Sequence, residues 1–262
     1  MRRANEIDRA IVPETARWGY GNTRNTWLSS QSSVRSWFPQ RTSILLNQLR
    51  NAGLYPQINA PSFTPAGGLV PPGYGLALVN PNPSGTIYFS TDGSDPRLWG
   101  GAPAPGAQIY ATPLLLTNAL PLRARVRDGG NWSALVEATF YVVQDFTGLA
   151  VTEIMYRPPS FAPWSGDDLE FLELKNTGLK TIDFSGLTFT SGLDFTFTNG
   201  TRLASGAFFL LARNPAAFAA RYPGVSVSGV YSNKLDNSGE KITLRHLLGP
   251  NVFTATYSHA SP

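Results

Sequence analysis

No cysteine occurs in the 262 residues. Disulfides, thiolate nucleophiles and Cys-based zinc or iron–sulfur sites are thereby excluded. Histidine is almost as scarce: His246 and His259 are the only two, which leaves little for histidine-based catalysis or metal binding. Charged residues make up only 15%. No stretch approaches the roughly 20 apolar residues that span a bilayer. The opening Met1-Arg2-Arg3-Ala4-Asn5-Glu6-Ile7-Asp8 lacks the apolar run of a secretory signal. What is plentiful is turn and ring chemistry: 25 Gly, 21 Pro and 12% aromatics. A disordered chain would be charge-rich and aromatic-poor. This balance instead reads as short strands joined by turns.

The formal net charge of +4 is not evenly spread. Residues 1–60 hold eight arginines against three acidic residues, 61–145 hold four against five, and 146–262 balance at nine and nine. The basic excess belongs to the first segment. Neither later segment shows a concentrated Lys/Arg face with interleaved aromatics, so no nucleic-acid partner is expected.

From Asn25 to Tyr55 apolar residues recur at helical spacing: Trp27, Leu28, Val34 and Phe38, then Ile44, Leu45 and Leu49. Pro39 suits the first turn of a second helix, so two helices are expected. Gly53, followed by Leu54-Tyr55-Pro56, reads as the glycine stop of the second. A helical pair of this size cannot bury Trp18, Trp27, Trp37 and Phe38 unaided. The run Arg17-Trp18-Gly19, Trp27-Leu28, Trp37-Phe38-Pro39-Gln40-Arg41, Gln48-Leu49-Arg50 and Gly53-Leu54-Tyr55-Pro56 resembles the tail of a CotH-type kinase domain. The resemblance implies an incomplete domain at 1–57, with nucleotide and metal ligands upstream in a parent chain. It transfers no catalytic role to any residue here.

The Pro- and Gly-rich stretch Ala60–Pro72 reads as a linker or a loop-rich entry. Strand-like runs follow at Tyr74–Val79, Thr86–Thr91, Gln108–Tyr110, Leu120–Val126 and Leu135–Val143, which suggests an antiparallel sandwich. Asp92-Gly93 supplies a tight turn. Asp92 and Asp95 offer too few oxygens for calcium, which takes six to eight. The segment Gly85-Thr86-Ile87-Tyr88-Phe89-Ser90-Thr91-Asp92-Gly93-Ser94-Asp95-Pro96, with Leu122-Arg123-Ala124-Arg125-Val126 and Trp132-Ser133-Ala134, resembles the chitobiase/β-hexosaminidase C-terminal domain. That resemblance implies a non-catalytic immunoglobulin-like sandwich over 58–145.

The last segment again alternates strands with turns. Leu149–Tyr156 and Leu169–Asn176 read as strands, Asn199-Gly200 as a hairpin turn and Ala207–Ala212 as a buried strand. Asn214-Pro215 opens a short helix that Pro223-Gly224 ends. Thr152-Glu153-Ile154-Met155-Tyr156-Arg157-Pro158, Leu169 to Gly178, Asp183-Phe184-Ser185-Gly186-Leu187, Leu210-Leu211-Ala212-Arg213-Asn214 and Leu235 to Leu244 resemble the bacterial lamin-tail domain (LTD). The resemblance implies a second immunoglobulin-like sandwich over 146–262. The family's aromatic-proline segment is missing, since Ala260-Ser261-Pro262 close the chain.

Catalytic motifs are lacking. No Gly-x-Ser-x-Gly elbow and no Gly-x-x-x-x-Gly-Lys phosphate loop occurs. Glu170 and Glu173, three apart, face opposite sides of a strand, and with Glu153 read as structural or solvated carboxylates. The expectation is therefore a mainly β chain: two immunoglobulin-like antiparallel β-sandwiches in tandem after a short α-helical segment. No catalytic residue, metal ligand or cofactor is assigned. The resemblances imply a C-terminal fragment of a bacterial multidomain protein, extracellular or at the cell surface, serving display, adhesion or targeting. Its expected partners are cell-wall or extracellular polysaccharide or a surface protein, with Trp99, Trp132 and Trp164 as candidate stacking residues and Tyr110 beside them. The alternatives are a carbohydrate-binding accessory of an extracellular enzyme, or the targeting tail of an atypical secreted kinase.

Overall fold

The computed structural model describes residues 6–18 and 23–259. Met1-Arg2-Arg3, the Gly19 of the Arg17-Trp18-Gly19 motif and Ala260-Ser261-Pro262 lie outside the described residues. The chain divides into two compact units, 1–59 and 60–262.

The first unit is helical, with α1 (Ile11–Trp18) and α2 (Arg24–Asn51). Thr23 caps α2, its hydroxyl accepting from the Thr26 N–H at 3.3 Å. Pro39 does not divide this segment; it lies inside one continuous helix. Losing one backbone hydrogen bond costs least on an exposed helix, where water takes the freed carbonyl. The C-terminus stops at Gly53 (φ +71°): Leu54 N–H donates to Leu49 O at 2.8 Å and Gly53 N–H to Arg50 O at 3.0 Å, the paired bonds of a Schellman cap. Neither helix contains a buried residue, and Trp18, Trp37 and Phe38 are exposed.

The second unit holds two sandwiches. The first contains β1 (Ser62–Thr64), β2 (Gly68–Val70), β3 (Tyr74–Val79), β4 (Thr86–Ser90), β5 (Gln108–Ile109), β6 (Leu114–Leu116), β7 (Leu120–Asp128), β8 (Asn131–Trp132) and β9 (Val136–Val142). One sheet runs β1-β3-β6; the other runs β2-β9-β7-β4-β5, with β8 beside β7. All pairings are antiparallel except β2 with β9. β7 shows why the sheets close on each other. Leu122, Ala124 and Val126 are buried while Arg123, Arg125 and Arg127 alternate to the other face. The entry stretch 60–72 is not a linker, because β1 and β2 each join a different sheet of the sandwich.

The second sandwich contains β10 (Leu149–Met155), β11 (Phe171–Asn176), β12 (Ile182–Asp183), β13 (Leu187–Ser191), β14 (Arg202–Leu203), β15 (Phe208–Ala212), α3 (Pro215–Arg221), β16 (Gly229–Val230), β17 (Gly239–His246) and β18 (Asn251–Ser258). Its sheets run β10-β11-β15-β16, β13-β17-β18 and β12-β14. The core between them gathers Leu172, Leu174, Phe184, Leu187, Phe197, Leu211 and Ile242. On the outer face of β11 and β15, Phe171 and Leu210 pack against Phe218 of α3. Asn214 caps α3, its side-chain oxygen accepting from the Ala216 and Ala217 N–H groups at 3.1 and 3.2 Å. Asn199-Gly200 makes a turn but not a hairpin. Gly200 has φ +87°, yet the flanking Thr196 bridges Thr188 while β14 pairs with β12. Among the described residues no helix is long and apolar enough to cross a membrane.

Candidate functional site

Most acidic side chains are committed to local structure. Asp92, Asp145, Asp183 and Asp236 each stand two residues before Ser94, Thr147, Ser185 and Ser238, and each carboxylate accepts both that residue's N–H and its hydroxyl, at 2.6–2.9 Å. The Ser94 hydroxyl holds Asp92 below the ordinary carboxylate range; the Thr147 N–H does so for Asp145, and the Ser238 hydroxyl for Asp236. Asp92-Gly93 is thus an Asx turn, with Gly93 at φ +82°. Asp95 grips Arg125 through two bonds of 2.8 and 2.7 Å, which lowers its own pKa.

That grip anchors a loop with an exposed aromatic at its tip. After Asp95 the chain runs out and back: Leu98 N–H donates to Ala102 O at 2.8 Å, Gly101 N–H to Leu98 O at 3.0 Å, and Ala104 N–H to Pro96 O at 2.9 Å. Gly100 and Gly101 take φ +95° and +93°, which side-chain-bearing residues rarely adopt. Trp132 Nε1 donates to Gly101 O at 2.7 Å and ties the tip to the sandwich. Trp99 stands at 104% relative exposure, with Leu98 beside it at 44%. A backbone held this firmly loses little freedom when the indole finds a partner.

The three expected stacking residues therefore have three fates. Trp99 is exposed. Trp132 is buried at 7%, its ring against Tyr88 and under Arg127, so it is a core residue and not a ligand platform. Trp164 is half-buried in a bridge with Phe161. Tyr110 is half-buried as well.

Glu153 and Glu173 are direct register partners across β10 and β11. Glu170 is separate and 1% exposed. Its Oε2 accepts from Leu235 N–H at 3.0 Å and the Tyr231 hydroxyl at 3.4 Å, while Oε1 has no partner among the described residues. Burial pushes the Glu170 carboxyl up, partly offset by the Leu235 N–H and by Arg213. Glu170 joins the start of β11 to the loop after β16. Among the described residues no group of three or more His, Cys, Asp or Glu is placed to hold a metal.

Sequence reasoning missed the junction of the sandwiches. Gln144, just after β9, forms a two-way bond with the backbone of Asp183: its amide donates to Asp183 O at 2.5 Å and its oxygen accepts from Asp183 N–H at 2.9 Å. The Asp183 carboxylate also accepts from Ala119 N–H of the first sandwich at 3.1 Å. Below this clasp Tyr141 of the first sandwich meets His246 of the second edge to face, with centroids 5.0 Å apart. Gly186 (φ +78°) makes room, since a Cβ there would come within 2.8 Å of both rings. The Asp-x-Ser spacing at Asp183 marks its turn in sequence, but nothing local marks Gln144 as its partner.

Comparison with known proteins follows this division. Residues 143–258 match the Lamin Tail Domain family. Residues 76–140 match the family described as Fn3 associated. Both are non-catalytic module types. A search of curated proteins found no match. The chain is similar to the solved protocadherin gammaB7 EC3-6 cis-dimer structure, at 12% identity and TM-score 0.19, over 76% of this chain and 45% of that one. For protocadherin gamma B2 extracellular cadherin domains 3-6 the values are 10% and 0.20, over 70% and 42%. The chain spans under half the length of those solved chains.

Proposed function

We propose that this chain is a non-catalytic display and targeting region of a secreted, multidomain bacterial protein. The observation that carries the reading is the pinned Trp99 tip on a sandwich clasped to its neighbour. The Gln144–Asp183 and Ala119–Asp183 bonds make the pair a stiff carrier, and the tip gives it a contact point. Covering one fully exposed indole is worth on the order of 2–3 kcal/mol, a weak single contact that repetition along a polymer would strengthen. Cell-wall or extracellular polysaccharide is the favoured partner, since an indole face stacks on sugar rings; a surface protein is the alternative.

The test is a panel of cell-wall and extracellular polysaccharides titrated into residues 1–262, read by tryptophan fluorescence. One polysaccharide class is expected to give a saturable blue shift that Trp99→Ala abolishes. A shift that survives Trp99→Ala, or no shift with any polymer, would overturn the reading. A second reading is favoured by the exposed Trp37, Phe38, Ile44 and Leu45 of α2, which suit a helix packed on a CotH-type kinase lobe. This chain would then be the lobe's targeting tail, and ATP turnover would be absent from the chain itself. Turnover by 1–262 would contradict both readings.

A further inference from the structure

Beneath the clasp lies a half-open cavity of about 330 Å³. Leu69, Val143, Phe146 and Val252 give it apolar walls, and Tyr141 and His246 stand in its lining. Size, apolar walls and a position between two domains are the usual attributes of a small-ligand site.

The polar groups around it divide into committed and free. The Asp183 carboxylate is taken by Ala119 and Ser185, the Gln144 amide by the Asp183 backbone, and the Asp145 carboxylate by Thr147. His246 is 7% exposed, and its Nδ1 accepts from the Leu248 N–H at 3.2 Å. That bond assigns the proton of the neutral ring to Nε2. Neither His246 Nε2 nor the Tyr141 hydroxyl has a hydrogen-bond partner among the described residues. Neither atom is among the buried side-chain atoms left without a partner, so water reaches both, and an acceptor that enters the apolar space can displace it and take their hydrogen bonds.

We infer that this cleft binds a small neutral molecule with an apolar body and a carbonyl or hydroxyl oxygen, the oxygen accepting from His246 Nε2–H and meeting the Tyr141 hydroxyl. A carboxylate ligand is disfavoured by Asp145 and Asp183 in the lining. The occupant touches both sandwiches and so stabilises their union. The site is remote in sequence from Trp99 and independent of the polymer-binding reading.

The probe is 4-hydroxyacetophenone, titrated into the full chain and followed by the imidazole ¹H–¹⁵N signals of His246 and by thermal melting. Saturable movement of the His246 Nε2 signal and a concentration-dependent rise in Tm are expected. Tyr141→Phe keeps the ring and removes one hydroxyl, so it should weaken binding about fivefold. Leu69→Trp, at a position 43% exposed, fills the mouth and should abolish binding without unfolding the sandwich. N-acetylglucosamine should leave the His246 signals in place. An unmoved His246 signal up to the probe's solubility limit would overturn the inference, as would equal affinity in both variants. Movement by the sugar alone would replace the ligand class and refute the one assigned.

Discussion

Asn176 is fully buried and uses its whole amide. Its Nδ2 donates to Lys180 O and Leu203 O at 2.8 and 2.9 Å, and its Oδ1 accepts from Gly178 N–H at 3.0 Å. Asn176→Ala strands those partners and should cost about 3 kcal/mol in urea unfolding; a loss under 1 kcal/mol would show that water replaces the amide. Glu170 and His246 set opposite pH dependences. The raised Glu170 pKa means its contribution is full below the ordinary glutamate value and is lost as pH rises through the folded one. Glu170→Gln keeps an acceptor for Leu235 N–H and removes the charge, so its stability relative to wild type should grow between pH 4 and 7. Burial lowers the His246 pKa, so its contribution is present above the ordinary imidazole value and is lost as pH falls through the depressed one. His246→Gln should therefore gain on wild type below pH 6. Melting temperatures of both variants across pH 4–8 check both signs, and parallel curves would refute them.

At the scale of elements, legibility follows distance along the chain. The Asn214 cap, the Gly53 stop and the alternation of β7 are local, and each can be read in a few residues. β1 and β2 are three residues each, and β2 pairs with β9, about 70 positions on. Their turn-rich composition hides a pairing that only the finished sheet shows. Pro39 misleads for another reason: a proline penalty of about 3 kcal/mol is a local preference, and the turns on either side outweigh it. Pro39→Ala should therefore deepen the 222 nm circular dichroism signal of the full chain. Gly53→Ala, at φ +71°, should lose about 1 kcal/mol and speed hydrogen exchange at Leu54, whose N–H closes the cap. Unchanged exchange there would mean that the cap does not hold the helix end.

For the molecule as a whole, the two family matches meet at the segment that carries the clasp. The candidate site was legible only in part. Trp99 could be named as an aromatic in a glycine-rich loop, but the loop is held by the Trp132 bond to Gly101, so two tryptophans that look alike in sequence differ in burial, one exposed and one in the core. Gln144 and Asp183 lie 39 residues apart, and their union is invisible until both sandwiches are built. The absence of native cysteine makes the junction open to direct measurement. Gln108→Cys and Ala220→Cys place one spin label on an exposed position of each sandwich, with no competing thiol. Double electron–electron resonance between them should give one narrow distance distribution, which Gln144→Ala, removing both bonds to the Asp183 backbone, broadens. A broad or multi-peaked distribution with Asp183 and Gln144 intact would show two beads on a flexible string, and would contradict the stiff carrier on which the proposed function rests.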